Sequence, residues 1–211
     1  MAAVAAPAEE RVILHDVSWQ TYQRLLAEHV NSAGTRFAYN KGELEIMVVY
    51  AGHEEPNRTL AALVEELAVA LDKDCYRSGS TTFRREDLDK GFEPDSSFYF
   101  DRADAVRGKK EIDLHADPPP ELSIEVDVTR SPLNKFPIFA AIGIREVWRY
   151  SEGKVSMYAL HGTGYEPIQT SLVLAPMTAE AATRLLHEGQ RLKPRAWRKR
   201  IQEWIQENVS G

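Results

Sequence analysis

The chain has 211 residues, 43% hydrophobic and 27% charged, which suits one ordinary domain with a sizeable core and is short for two. Its 26 basic and 32 acidic residues give −6, but Arg191 to Arg200 holds six basic side chains and no acid, leaving −12 for the remainder. A chain so acidic is no passive phosphate binder, and a nucleic-acid function would need local positive patches or metal ions to offset repulsion.

The N-terminal Ala-rich stretch lacks a basic flank and runs into Glu9 and Glu10, so it does not read as a secretory signal. Residues 1–12 read as a flexible tail, followed by one domain over 13–211 whose C-terminal helices start near residue 178. Ser18 can cap a helix over 18–30 in which Trp19, Tyr22, Leu25, Leu26 and Val30 make one apolar stripe. From Arg36 the period changes to two, and Asn40-Lys41-Gly42 separates Phe37 and Tyr39 from Leu44, Ile46 and Val48, a β-hairpin. Pro56 opens a second helix carrying Leu60, Leu63, Val64, Leu67 and Leu71. Thr81 to Arg84 and Ser96 to Phe100 read as strands separated by a charged loop from Arg85 to Phe92, and 101–120 reads as a loop ending in three prolines. Leu122 to Val128 alternates as a strand, Asn134 to Ile142 is a helix ended by Gly143, and Glu146 to Tyr150 is a strand. A closing hairpin (154–160 and 164–168) precedes two helices at Thr178 to His187 and Trp197 to Gln206. This order predicts an α/β fold, a mixed sheet flanked by helices.

The longest nearly apolar run, Phe136 to Ile144, is far below the roughly 20 residues of a membrane-spanning helix, so no membrane contact is expected. The lone Cys75 excludes an internal disulfide framework and fits a reducing, cytoplasmic setting.

Within the strand at 122–128, Leu122, Ile124, Val126 and Val128 point to one side, and Ser123, Glu125 and Asp127 to the other. Two carboxylates about 6.6 Å apart on an otherwise apolar strand cost desolvation and repulsion unless a cation compensates. Lys135 is spaced from Ile138, Phe139 and Ile142 so that it leaves the next helix on its sheet-facing side, and Pro137 places it at that helix's N-terminal end. Asp95 stands at the entry of the Phe98 strand. Asp95, Glu125, Asp127 and Lys135 thus form a candidate catalytic set, with the three acids as hard oxygen ligands suited to Mg²⁺ or Mn²⁺. Asp127 is also open to an ion pair with Lys135 or Arg130.

Pro94-Asp95, Glu125-x-Asp127 and Lys135 resemble the PD-(D/E)xK nuclease superfamily, and the wider pattern from Ser18 to about Tyr165 resembles its Uma-two-type restriction endonucleases. The stretches that carry it include Phe37 to Met47, His53-Glu54, Gly79 to Arg85, Pro120 to Thr129 and Pro137 to Tyr150. The resemblance implies a restriction-endonuclease-like core, with Asp95 and Glu125 as metal ligands. Two departures stand out. Asp127 occupies the usual lysine position, which moves the lysine to Lys135. Ala38 stands where many members carry glutamate, leaving Glu43 or Glu45 to assist the metal.

His53 reads as a supporting residue that hydrogen-bonds locally. Arg195, Arg198 and Lys199 are the candidate nucleic-acid contacts. The stripe of Trp197, Ile201, Trp204 and Ile205 suggests packing or a homodimer contact. The leading expectation is a metal-dependent endonuclease acting on nucleic acid, preferentially DNA. Its rival is a nuclease-fold protein that binds nucleic acid or a partner without cutting.

Overall fold

The computed structural model describes residues 9–29, 34–129, 131 and 133–209. In chain order the elements are β1 (Glu9–Leu14), α1 (Trp19–Glu28), β2 (Thr35–Asn40), β3 (Glu43–Val49), α2 (Ala51–Ala70), β4 (Tyr76–Arg77), β5 (Phe83–Arg85), β6 (Lys90–Phe92) and β7 (Ser96–Tyr99). There follow α3 (Ala103–Val106), β8 (Leu122–Asp127), α4 (Phe136–Ile142), β9 (Glu146–Ser151), β10 (Lys154–His161), β11 (Gly164–Ile168), α5 (Ala179–Arg191) and α6 (Pro194–Asn208). The α/β class with flanking helices is as expected, with the strands divided between two sheets. One is five-stranded and antiparallel, in the order β1-β3-β2-β6-β5; the other is six-stranded and mixed, in the order β11-β10-β9-β8-β7-β4. Among the described residues only β8 and β9 pair in parallel, and such a pair needs a crossover, which α4 supplies.

Side-chain chemistry accounts for the local choices. The Ser18 hydroxyl accepts from the Thr21 amide and caps α1, which buries Trp19, Tyr22 and Leu26 on Phe37, Tyr39 and Leu44; Val30, the last apolar position of the expected stripe, lies outside the described residues. Lys41 and Gly42 turn the β2–β3 hairpin with positive φ. Pro137 sits in the first turn of α4 and Gly143, at φ +89°, ends it in the left-handed region. Both faces of β8 are buried: Leu122, Ile124 and Val126 join the large core with α2, α5 and α6, while α4 packs Ile138, Phe139 and Ile142 near Val147 and Tyr99 on the other side.

Four expectations are corrected. Residues 9–12 are not tail but most of β1, an edge strand paired with β3. Its pattern is inverted, with Glu9 and Arg11 turned inward while Val12 and Leu14 are 56% and 40% exposed, so hydrophobic alternation cannot reveal it. Helix α2 starts five residues before Pro56, which brings His53 into its first turn, where the His53 amide donates to Tyr50 O at 3.0 Å. The charged loop at 85–92 contains strand β6, which folds back after a turn at Asp89, φ +53°. Finally, Trp197, Ile201 and Trp204 are buried in the chain's own core against α2 and α5. The stripe that suggested a homodimer is therefore internal packing.

Candidate active site

The C-terminal half of β8 is where the two sheets meet. Alternation sends Glu125 and Asp127 to the side away from α2, and both are buried, at 4% and 6% exposure. Asp95, just before β7, is drawn alongside because its Oδ2 accepts the Val126 amide at 2.7 Å, while its backbone carbonyl accepts from Asn57 Nδ2 at 3.1 Å. Lys135, the residue before α4, places Nζ 3.1 Å from Glu125 Oε2 and 3.6 Å from Glu45 Oε1. His53 donates from Nε2 to Val126 O at 2.8 Å, and the same nitrogen lies 3.4 Å from Asp95 Oδ2 and 3.5 Å from Glu9 Oε2. The structure thus gathers Asp95, Glu125, Lys135, Glu45 and His53, residues from five separate stretches of chain.

Asp127 is in the same place but differently engaged. Its Oδ1 accepts from Arg11 Nη2 at 2.9 Å and its Oδ2 from Arg149 Nε at 2.6 Å. The ion pairs it makes are with Arg11 and Arg149, while Arg130 lies outside the described residues. Both oxygens of Asp127 are thus engaged by guanidinium groups. Arg11 also bonds Glu45 Oε1 at 2.9 Å and Glu9 Oε1 at 3.0 Å, so one buried cation ties three carboxylates together. Glu9 is held in turn by the Thr129 amide at 2.7 Å, and Glu45 by the Ser131 hydroxyl at 2.6 Å.

Glu45 is directly cross-strand from Ala38, so of the two glutamates offered in place of the family's residue it is the one that reaches the site. Glu43 does not: its side chain is 49% exposed and lies 3.7 Å from His15. Arg195, Arg198 and Lys199 are also elsewhere. They sit on α6, on the opposite side of the six-stranded sheet from Glu125, where Arg198 pairs with Glu66 at 2.8 Å and Lys199 with Glu203 at 3.8 Å. Sequence reasoning missed Glu9, Arg11, Ser131 and Arg149. Only Arg149 carried a local signal, since its alternation with Val147 in a strand next to the acids points it to their side.

Electrostatics sets the protonation states. Burial pushes the Glu125 carboxyl up to about 7, with Asp95 adding to the shift and Lys135 opposing it. Burial would also raise Asp95, yet His53 and Lys135 outweigh it and hold that carboxyl below its ordinary value. Lys135 is pulled down by burial and raised further by Glu125 and Glu45, so it remains an ammonium. His53 follows the same logic, burial lowering it and Asp95 and Glu9 raising it above the ordinary histidine value.

Beside these groups opens a cavity of about 210 Å³ lined in part by Glu125, Asp127, Ser131, Lys135, Phe136 and Arg149. Asp95 Oδ1 and Glu125 Oε1 are buried and make no hydrogen bond among the described residues. Buried carboxylate oxygens normally find partners, so two such orphans suit a cation. No group of three or more His, Cys, Asp or Glu side chains arranged for a metal occurs among the described residues. A site of two carboxylates nonetheless fits Mg²⁺, which is commonly held by one or two carboxylates and keeps several waters.

Residues 19–190 match the family described as "Uma2: Putative restriction endonuclease". A crystal structure of a "putative nuclease belonging to DUF820" from Anabaena variabilis is similar at 14% identity and a TM-score of 0.46, over 71% of this chain and 90% of that one. No curated protein matches. No helix among the described residues is long and apolar enough to cross a membrane.

Proposed function

The chain belongs to the Uma2 family of restriction-endonuclease-type proteins, and from that premise we propose that it is a metal-dependent endonuclease that hydrolyses phosphodiester bonds of DNA. One observation carries the reading: Asp95 and Glu125 each keep one buried oxygen without a hydrogen bond among the described residues, and Glu125, whose other oxygen is 3.1 Å from the Lys135 ammonium, lines an open cavity with that lysine. Asp95 and Glu125 would hold Mg²⁺ or Mn²⁺, which when bound supplies charge neutralisation and a water acidic enough to attack phosphorus near neutral pH. Lys135 stabilises negative charge on the phosphate, and because its pKa is raised it acts as a cation rather than as a base. His53 is a positioning residue: by bonding Val126 O it fixes the strand end whose amide holds Asp95. Supercoiled plasmid offered with Mn²⁺ should be nicked by the unmodified chain, and nicking should stop with chelator or with the Asp95→Ala, Glu125→Ala double substitution. If no DNA or RNA is cut under any divalent ion, the rival reading, a nuclease-fold protein that binds without cutting, takes its place.

Metal binding can be measured independently of cleavage. Calorimetry with Mn²⁺ should give heat for the unmodified protein and none for the double variant; equal heats would remove the site. The pH dependence has a definite sign. Glu125 keeps its proton up to about pH 7, so below that the ion must displace it. Affinity should therefore rise up to about tenfold per pH unit from pH 5.5 to 7 and flatten above, with proton release into the buffer below pH 7. A flat profile over this range would show that Glu125 is either not a ligand or already ionised at pH 5.5, and the calorimetry of the double variant separates the two.

A further inference from the structure

Two guanidinium groups meet on Asp127, and they are used differently. Arg11 is 5% exposed at its side chain and spends Nε, Nη1 and Nη2 on Glu9, Glu45 and Asp127. Arg149 is 33% exposed, gives only Nε to Asp127, and its two terminal nitrogens make no hydrogen bond or ion pair among the described residues. Its place is set by the parallel pairing: Arg149 is in register with Glu125 on the neighbouring strand, on the side of Val147, and lines the same cavity as Glu125 and Lys135. Asp127 thus meets two cations, and because Arg11 is shared with Glu9 and Glu45, Arg149 also helps to balance its charge, through Nε alone. What Asp127 does for Arg149 is fix one edge of a planar fork and leave the other edge facing the cavity.

Resting on the nuclease reading, we infer that Arg149 binds the phosphate of the substrate, gripping non-bridging oxygens through Nη1 and Nη2 while Asp127 holds its Nε. A guanidinium matches two phosphate oxygens at once, which a lysine ammonium does not. The arrangement also gives Asp127 a purpose in the position where the family resemblance expects lysine. There it supplies no cation of its own but orients one from the next strand. Arg149 and Lys135 then approach the same phosphate from two walls of the cavity, one binding it and the other countering charge as the bond to phosphorus forms.

The test uses the full chain without metal and inorganic phosphate as probe, followed by ³¹P NMR line broadening, alongside plasmid nicking in Mn²⁺. Arg149→Ala should weaken phosphate binding about tenfold or more, the loss expected when charged hydrogen bonds are removed. Arg149→Lys should restore part of that affinity, and Lys135→Ala should weaken it less than Arg149→Ala does. Nicking should fall on the order of 10²-fold in Arg149→Ala. Because Arg149 is one-third exposed and Asp127 keeps Arg11, the variants retain the fold, which melting curves verify; should Arg149→Ala melt early, Arg149→Lys carries the comparison through its weaker grip. Phosphate binding unchanged in Arg149→Ala, or absent from the unmodified chain, overturns the assignment. Arg149-dependent phosphate binding in a chain that cuts nothing overturns the nuclease reading and leaves the anion site standing.

Discussion

Lys135→Ala should slow metal-dependent nicking by on the order of 10²-fold or more, the effect typical of removing one preorganised electrostatic contact to a developing charge. DNA affinity should stay within a few fold, since one lysine 11% exposed at its side chain supplies at most one phosphate contact. The reason for so uneven an effect lies in the environment. Lys135 is buried against Glu125 and Glu45, and an ammonium in low dielectric acts more strongly on neighbouring charge than one in water. Lys135→Arg is the informative companion: it keeps the charge but brings a longer, planar head into a space that fits Nζ between two glutamates, so it should recover only part of the rate. Equal nicking rates for Lys135→Ala and the unmodified chain would show that the displaced lysine has no part in the chemistry, even if Asp95 and Glu125 bind the ion.

Arg11→Ala should be the most destabilising of the polar substitutions, by about 3–5 kcal/mol, the usual cost of removing one partner from a buried ion pair. Three carboxylates, Glu9, Glu45 and Asp127, would lose this partner in the interior, and the Asp127 pair links β1 of the five-stranded sheet to β8 of the other. For a domain of this size that is a fall in Tm on the order of 10 °C. Arg200→Ala is the control, because Arg200 bonds Glu188 at 3.3 Å and Glu203 at 2.6 Å with its side chain 54% exposed, and exposed pairs contribute at most about 1 kcal/mol. Thermal melts that place both variants within a degree of the unmodified protein would mean that the Arg11 cluster is solvated rather than buried.

Much of the site was legible in the linear chain because its geometry is local. Alternation on β8 sends Glu125 and Asp127 to one side whatever the sheet does. Pro137 and Gly143 bracket α4 through their own backbone constraints, and so fix Lys135 at its entrance. The hairpin at Asn40 to Gly42 follows from residues that accept positive φ, and it carries Glu45 with it.

Other features depend on which strands become neighbours, a question of free energy over long separations that periodicity does not encode. Arg11 meets Asp127 across 116 positions of sequence, and β1 reads as tail because it buries charges, a choice that pays only once Glu45, Asp127 and Thr129 surround them. The Trp197 stripe likewise carries no mark of its partner: an apolar helix face looks the same whether it awaits a second copy or the groove between α2 and α5, and here the chain's own core covers it. Asp127 makes the point most sharply. Its side of the strand is set by spacing, but which guanidinium groups it meets depends on Arg11 and Arg149 arriving from β1 and β9, because a buried carboxylate takes whichever cation the assembled sheets bring within reach.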